Sequence, residues 1–167
     1  MKKYKKKFIA SFITLLLLAI IGSIFIYIFA REPIERNREE SIRIALSEAK
    51  LSEVSGTSWF HYMDSYTVVE GTTEDGTEMI VFVPDSDDED LLIIKKDEGM
   101  TLKEAINLLY YDLDLSPDKR PKKVVGGKYG LVDRKPVYEI TYIDQEGRHS
   151  ILYIDFYKGE WFRVYNM

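Results

Sequence analysis

"SYTVVEGTTEDGTEMIVFVP", residues 65–84, sets two apolar-rich runs around a turn that carries Asp75 and Gly76. β-branched and aromatic residues on both sides of an Asp-Gly pair predict a β-hairpin. "VYEITYIDQEGRHSILYIDF", residues 137–156, repeats the form with Glu146-Gly147 in the turn. Superposing Gly76 on Gly147 lays Ile80, Val81 and Val83 over Ile151, Leu152 and Ile154. Neither copy carries an evident catalytic group.

The flanking sequence extends the repeat. Strands are expected at 53–62, 65–72, 77–84 and 91–96, and again at 122–131, 136–144, 149–156 and 160–166. A helix is expected before each set. Residues 34–50 place Ile42, Ala45, Leu46 and Ala49 at helical spacing, with Glu39, Glu40, Arg43 and Glu48 on the other side. Thr101 and Glu104 form a capping box, after which Leu102, Ala105, Ile106, Leu109 and Leu113 trace one apolar face. The order is a helix and four strands, twice, which is an α+β tandem repeat.

Each copy is short: 68 residues at 31–98 and 69 at 99–167. Domains below about 70–80 residues gain little from a single core without staples. The chain has no cysteine, so disulfides, thiolate catalysis and cysteine metal sites are excluded. Only Asp97-Glu98-Gly99-Met100 separate "IIKK" from Thr101. The two copies are therefore expected to pack against each other.

The N-terminus has a different chemistry. Lys2, Lys3, Lys5, Lys6 and Lys7 precede 22 uncharged residues, Phe8 to Phe29. As a helix that run is about 33 Å long, enough to cross a hydrocarbon core of about 30 Å. A signal peptide has a shorter apolar region ending in small residues, and Ile28 does not suit the cleavage pattern. An uncleaved span over 8–30 is the expectation, with the basic tail 1–7 in the cytoplasm and the C-terminal part outside. Removing the five tail lysines from 23 basic residues leaves 18 against 28 acidic ones, a formal charge of −10. Such a domain is a poor nucleic-acid binder.

Catalytic constellations are absent from the pattern. His61 and His149 are the two histidines, and Ser58, Ser65 and Ser150 lie in no nucleophile elbow. His149 and Ser150 alternate along a strand and so point apart. Two histidines without cysteine do not make a zinc site. "DSDDED", Asp85 to Asp90, is oxygen-rich as calcium loops are, but Asp90 and Lys96 occupy the positions where an EF-hand needs Gly and Glu. A flexible, solvated loop is the expectation there. "PDKRPKK", 117–123, reads as a solubilising basic loop, with contact to lipid headgroups or an anionic polymer as the functional alternative.

Aromatic residues are in surplus, 12 Tyr, 8 Phe and 2 Trp. Regular alternation sends Trp161, Arg163 and Tyr165 to one face of the last strand, and Phe162 and Val164 to the other. Trp161, Arg163 and Tyr165, with Trp59 and Tyr129, are the candidate partner-binding residues, because interface hot spots favour Trp, Tyr and Arg. The competing reading has Phe162 and Val164 in the core and Trp161 over the junction of the repeats.

The lysine cluster with one anchor, "YTVVEGTTEDGTEMIVFVP" (66–84), "TLKEAINLLYYD" (101–112) and "PVYEITYIDQEGRHSILYIDFYKGEWFRVY" (136–165) together resemble the TseB-like cell wall elongation regulators of low-GC Gram-positive bacteria. The resemblance rests on the order of elements and on the last thirty residues. It implies a single-pass membrane protein whose outer part holds two PepSY/cystatin-like domains, 31–98 and 99–167, each a helix on an antiparallel sheet. It also implies a non-enzymatic regulator that works with an elongation penicillin-binding protein, with no catalytic residue, cofactor or metal. Two other classes are carried: an inhibitor or chaperone of an exported peptidase, and a hydrolase using paired carboxylates, which would need a cleft holding two carboxyl groups.

Overall fold

The computed structural model describes the backbone of all residues except Met1, Asp87, Asp88, Asp112 and Met167. Side chains are described except those of 2–11, Thr14, 26–35, Arg163, Val164 and Asn166. Helix α1 spans Lys2–Glu48. Four strands follow: β1 (Leu51–His61), β2 (Ser65–Thr73), β3 (Glu78–Pro84) and β4 (Leu92–Lys95). Helix α2 (Leu102–Tyr111) leads into β5 (Pro121–Val132), β6 (Lys135–Asp144), β7 (His149–Asp155) and β8 (Trp161–Asn166). Every strand lies within about two residues of its sequence expectation. The contacts of the chain divide into two compact units, Met1–Glu40 and Ser41–Met167.

Met1–Glu40 is helical wherever it is described. Much of the expected span at 8–30 carries side chains that lie outside the described residues. Among the described residues, no helix is long and apolar enough to cross a membrane.

Ser41–Met167 contains two antiparallel four-stranded meanders, ordered β1-β2-β3-β4 and β5-β6-β7-β8. The repeat extends to details of the backbone. Register shifts interrupt β1 between Leu51 and Glu53 and between Val54 and Gly56. They interrupt β5 between Pro121 and Lys123 and between Val124 and Gly126, each 70 residues on. Bulges of this kind twist a strand and blunt it as a pairing edge. The central hairpins also share one turn: the Gly76 amide donates to the Thr73 carbonyl, and that of Gly147 to Asp144. Both glycines take positive φ, 86° and 84°. This is the conformation in which a residue lacking Cβ is favoured.

Each sheet has a helix on one face. The end of α1 buries Ala45, and just beyond it Ala49, in one cluster with Val69, Val81 and Val83; Ile42 and Ile44 pack alongside, and Ser41 is buried one turn earlier. Leu46, expected on this face, is exposed; the buried stripe runs through small residues at four-residue spacing, which lets the helix approach the sheet. On α2 the expected face is buried through Ala105 and Leu109. Its capping box forms as the sequence indicated: the Glu104 amide donates to Thr101 Oγ1 (3.2 Å), and the Thr101 amide to Glu104 Oε2 (2.7 Å).

The other face of the first sheet shares a single core with the second. Phe60, Tyr66, Val68, Ile80, Phe82 and Ile94 belong to the same buried cluster as Tyr138, Ile140, Leu152, Ile154 and Phe156. Phe60, fully buried, is the keystone of that joint: its ring lies 2.3 Å from where a Cβ on Gly130 would stand. Full burial of a side chain of this size contributes about 2–3 kcal/mol.

Candidate partner-binding surface

Strand β8 is the last strand of its sheet and pairs only with β7. Its pairing is not regular. Trp161 faces Ile154 and Arg163 faces Tyr153, with a register shift between Tyr153 and Ile154. The extra residue, Phe162, breaks the alternation expected for 161–165. Trp161 therefore pairs with a residue of one face of β7, and Tyr165, opposite Ile151, with one of the other face. Trp161 and Tyr165 do not share a face. Phe162 joins Tyr165 instead, its ring stacked on Tyr153 at 5.9 Å and 24°.

Tyr153 anchors an aromatic cluster. Tyr62 meets it edge-on at 5.3 Å and Tyr165 at 6.2 Å, and Phe60 reaches it from the core at 6.3 Å. Tyr62 and Tyr165 also pair with each other, their hydroxyls 3.3 Å apart. The base is fixed electrostatically: the Tyr153 hydroxyl donates to Glu139 Oε2 (3.0 Å), and Lys128 pairs with Glu139 Oε1 (3.2 Å). Burial and the Glu139 carboxylate raise the Tyr153 pKa above the ordinary phenol range, so it stays a donor. Above this base Phe162 (46 %) and Tyr165 (41 %) remain open to solvent, and Met63 beside Tyr62 is 75 % exposed. Rigid, amphipathic rings held from behind by a buried ring favour protein contact.

The remaining candidates are placed elsewhere. Trp59 is exposed on β1, stacked on His61 at 5.7 Å and 7°, with its Nε1 donating to Asp85 Oδ2 (3.1 Å). Tyr129 is buried against Tyr138 and Phe156, which makes it a core residue. The side chain of Arg163 lies outside the described residues. Tyr62 and Phe162 were missed as site residues, one as a strand end and one as core. The signal for Tyr62 was present in "WFHY"; the bulge that turns Phe162 had none.

No arrangement among the described residues supports catalysis. His61 Nδ1 and Ser65 Oγ are 2.9 Å apart across the β1–β2 hairpin, but no carboxylate is hydrogen-bonded to the ring. His149 is exposed while Ser150 is buried, so they point apart as expected. Among the described residues, no group of three or more His, Asp or Glu is placed to hold a metal. The acidic run forms the expected loop between β3 and β4, with Asp85, Ser86 and Asp90 exposed, and several of its groups are hydrogen-bonded to the sheets. Asp85 holds Trp59, Glu89 accepts from the Tyr66 hydroxyl (2.5 Å), and the Asp90 carbonyl accepts from Arg134 Nη1 (3.2 Å). Asp87 and Asp88 lie outside the described residues. The basic stretch is built into the sheet: β5 starts at Pro121, and the Tyr142 hydroxyl donates to the Lys119 carbonyl (2.9 Å).

Comparison with known proteins bears on the same chain. Residues 40–84 match the model of the cell wall elongation regulator TseB-like domain. The probable cell wall elongation regulator TseB of Bacillus subtilis (strain 168) is 28 % identical over 160 residues, covering 96 % of each chain. The solved structure of the YpmB protein from Bacillus subtilis superposes with a TM-score of 0.69 at 25 % identity, over 77 % of this chain and 96 % of that one. The match at 40–84 takes in the last turns of α1 and the strands β1 to β3, and the full-length relative extends the likeness through α2 and the second meander. On these grounds the chain is similar to the TseB-like cell wall elongation regulators, through the domain matched at 40–84 and through a relative alike over nearly its whole length.

Proposed function

We propose that this chain is a non-enzymatic, membrane-anchored regulator of cell wall elongation that acts by binding an elongation penicillin-binding protein outside the membrane. In this reading residues 8–30 are the single span, 1–7 lie in the cytoplasm, and 31–98 and 99–167 form two PepSY-like domains in the ectodomain. The observation that carries the binding role is the ring cluster in which exposed Phe162 and Tyr165 and half-buried Tyr62 are held on buried Tyr153. A full-length relative named as a probable elongation regulator supplies the process. The partner's chemistry follows from the surface: apolar or aromatic groups for the rings, and basic groups for a domain with 28 acidic against 18 basic residues.

The test is photocrosslinking in cells, with a photoreactive residue placed singly at Phe162, Tyr165, Trp161 or Trp59. Adducts to a penicillin-binding protein from Phe162 and Tyr165, and fewer from Trp59, are the expected outcome. Adducts only to an exported peptidase would replace this reading with the inhibitor one, and absence of any protein adduct would remove it.

A further inference from the structure

Tyr62 and Tyr165 stand 103 residues apart in the chain and meet in space. Tyr62 follows β1 in the first sheet, and Tyr165 lies in β8, the last strand of the second. Their ring centroids are 6.4 Å apart but their hydroxyl oxygens only 3.3 Å, so the rings converge at the hydroxyl ends. The carbons ortho to each hydroxyl lie at that meeting point. These are the carbons that carry unpaired spin in a phenoxyl radical, and at which two such radicals couple.

Each other tyrosine pair lacks a requirement that this one meets. Tyr129 and Tyr138 bring their hydroxyls to 3.4 Å, but both rings are buried, out of reach of an oxidant in solution. Tyr153 contacts both Tyr62 and Tyr165, yet it meets them edge-on, is buried, and gives its hydroxyl proton to Glu139. Tyr110 and Tyr111 are adjacent on α2, so a bond between them would close no loop. Tyr165 is exposed and Tyr62 half-buried, which adds an open approach to the converging hydroxyls.

We propose that Tyr62 and Tyr165 are an oxidative modification site, at which a one-electron oxidant joins the two rings as dityrosine. Each phenol loses one electron and its hydroxyl proton. The two radicals form one carbon–carbon bond between ortho carbons, and the hydrogens on those carbons move as protons to the ring oxygens, restoring both phenols. In total two electrons and two protons leave, and hydrogen peroxide as terminal acceptor takes them up to give two waters. The bond spans 103 residues and staples the first sheet to the last strand of the second. A chain without cysteine has no disulfide to serve that end. Formation of the bond requires only this ring geometry, whether or not the same rings bind a partner protein.

Oxidation of the purified full-length chain in detergent, by a photoactivated ruthenium trisbipyridyl complex with persulfate, is the test. Persulfate accepts the two electrons and becomes two sulfates. The expected product is a monomer with dityrosine fluorescence, whose proteolytic map joins the peptides of Tyr62 and Tyr165. Its melting temperature should rise by about 10 °C, the order expected of a cross-link over about 100 residues. Tyr62→Phe and Tyr165→Phe should each abolish the joined peptide and the rise, while Tyr111→Phe should leave both. Melting temperatures before oxidation show that each variant is folded, and the peptide map of the parent decides the matter without them. N-acetyltyrosinamide dimerising in a parallel flask shows that the oxidant is active. With that control positive, the absence of dityrosine in the monomer, a link mapped only to other tyrosines, or links only between chains would each overturn the proposal.

Discussion

At the scale of single residues, the hairpin at 144–148 shows how one carboxylate organises a turn. Asp144 is fully buried and accepts from the amides of Glu146 and Arg148, both at 2.9 Å, and from Arg148 Nε at 2.7 Å. Burial acts to raise its pKa, but the hydrogen bonds and charge of Arg148 outweigh it and hold the carboxyl below its ordinary value. A depressed folded pKa adds stability above the unfolded value, near about 4, which is lost as pH falls through the folded one. Asp144→Asn keeps the shape and removes the charge. Its deficit in urea midpoint against the parent is expected to be full at neutral pH and to shrink steadily in strong acid. A deficit that stays constant with pH would show that the charge is not what stabilises the turn.

At the scale of elements, helix ends and bulges decide more than periodicity does. Lys50 follows the end of α1 with φ of 52°, a conformation that costs a residue with Cβ about 1–2 kcal/mol. Glycine is the usual occupant of that position. Lys50→Gly should raise the melting temperature, by the equivalent of about 0.5–1 kcal/mol after the entropy of a freer unfolded chain is subtracted. A lower melting temperature would mean that Lys50 makes a compensating contact. Periodicity succeeded where the pattern was regular: the α2 face and the strands of both meanders were legible. It failed at β8, because one inserted residue reverses every later side chain and no residue type marks the insertion. The paired bulges of β1 and β5 left only a faint trace, Gly56 and Gly126, at matching places in the two copies.

At the scale of the molecule, each sheet of Ser41–Met167 carries one tryptophan, Trp59 in β1 and Trp161 in β8. Because both sheets contribute to one core, the two probes should report one melting transition when each is read in turn with the other replaced by Phe. Gly130→Ala drives a Cβ against the Phe60 ring and should lower both readings together, by the equivalent of about 1–3 kcal/mol. Two separated transitions would show sheets that fold independently. Sequence by itself determined the repeated helix-and-meander plan, the shared Asp-Gly and Glu-Gly hairpins, the capping of α2 and the absence of disulfides. These follow from local chemistry: side-chain alternation, the φ that glycine permits, and a hydroxyl within reach of its own amides. Tertiary structure alone decided that Tyr129 is core, that Tyr62 and Phe162 meet over Tyr153, and that the hydroxyls of Tyr62 and Tyr165 converge. Each of these depends on which residues distant in the chain are brought together, and on a bulge whose cost and benefit are settled only by packing.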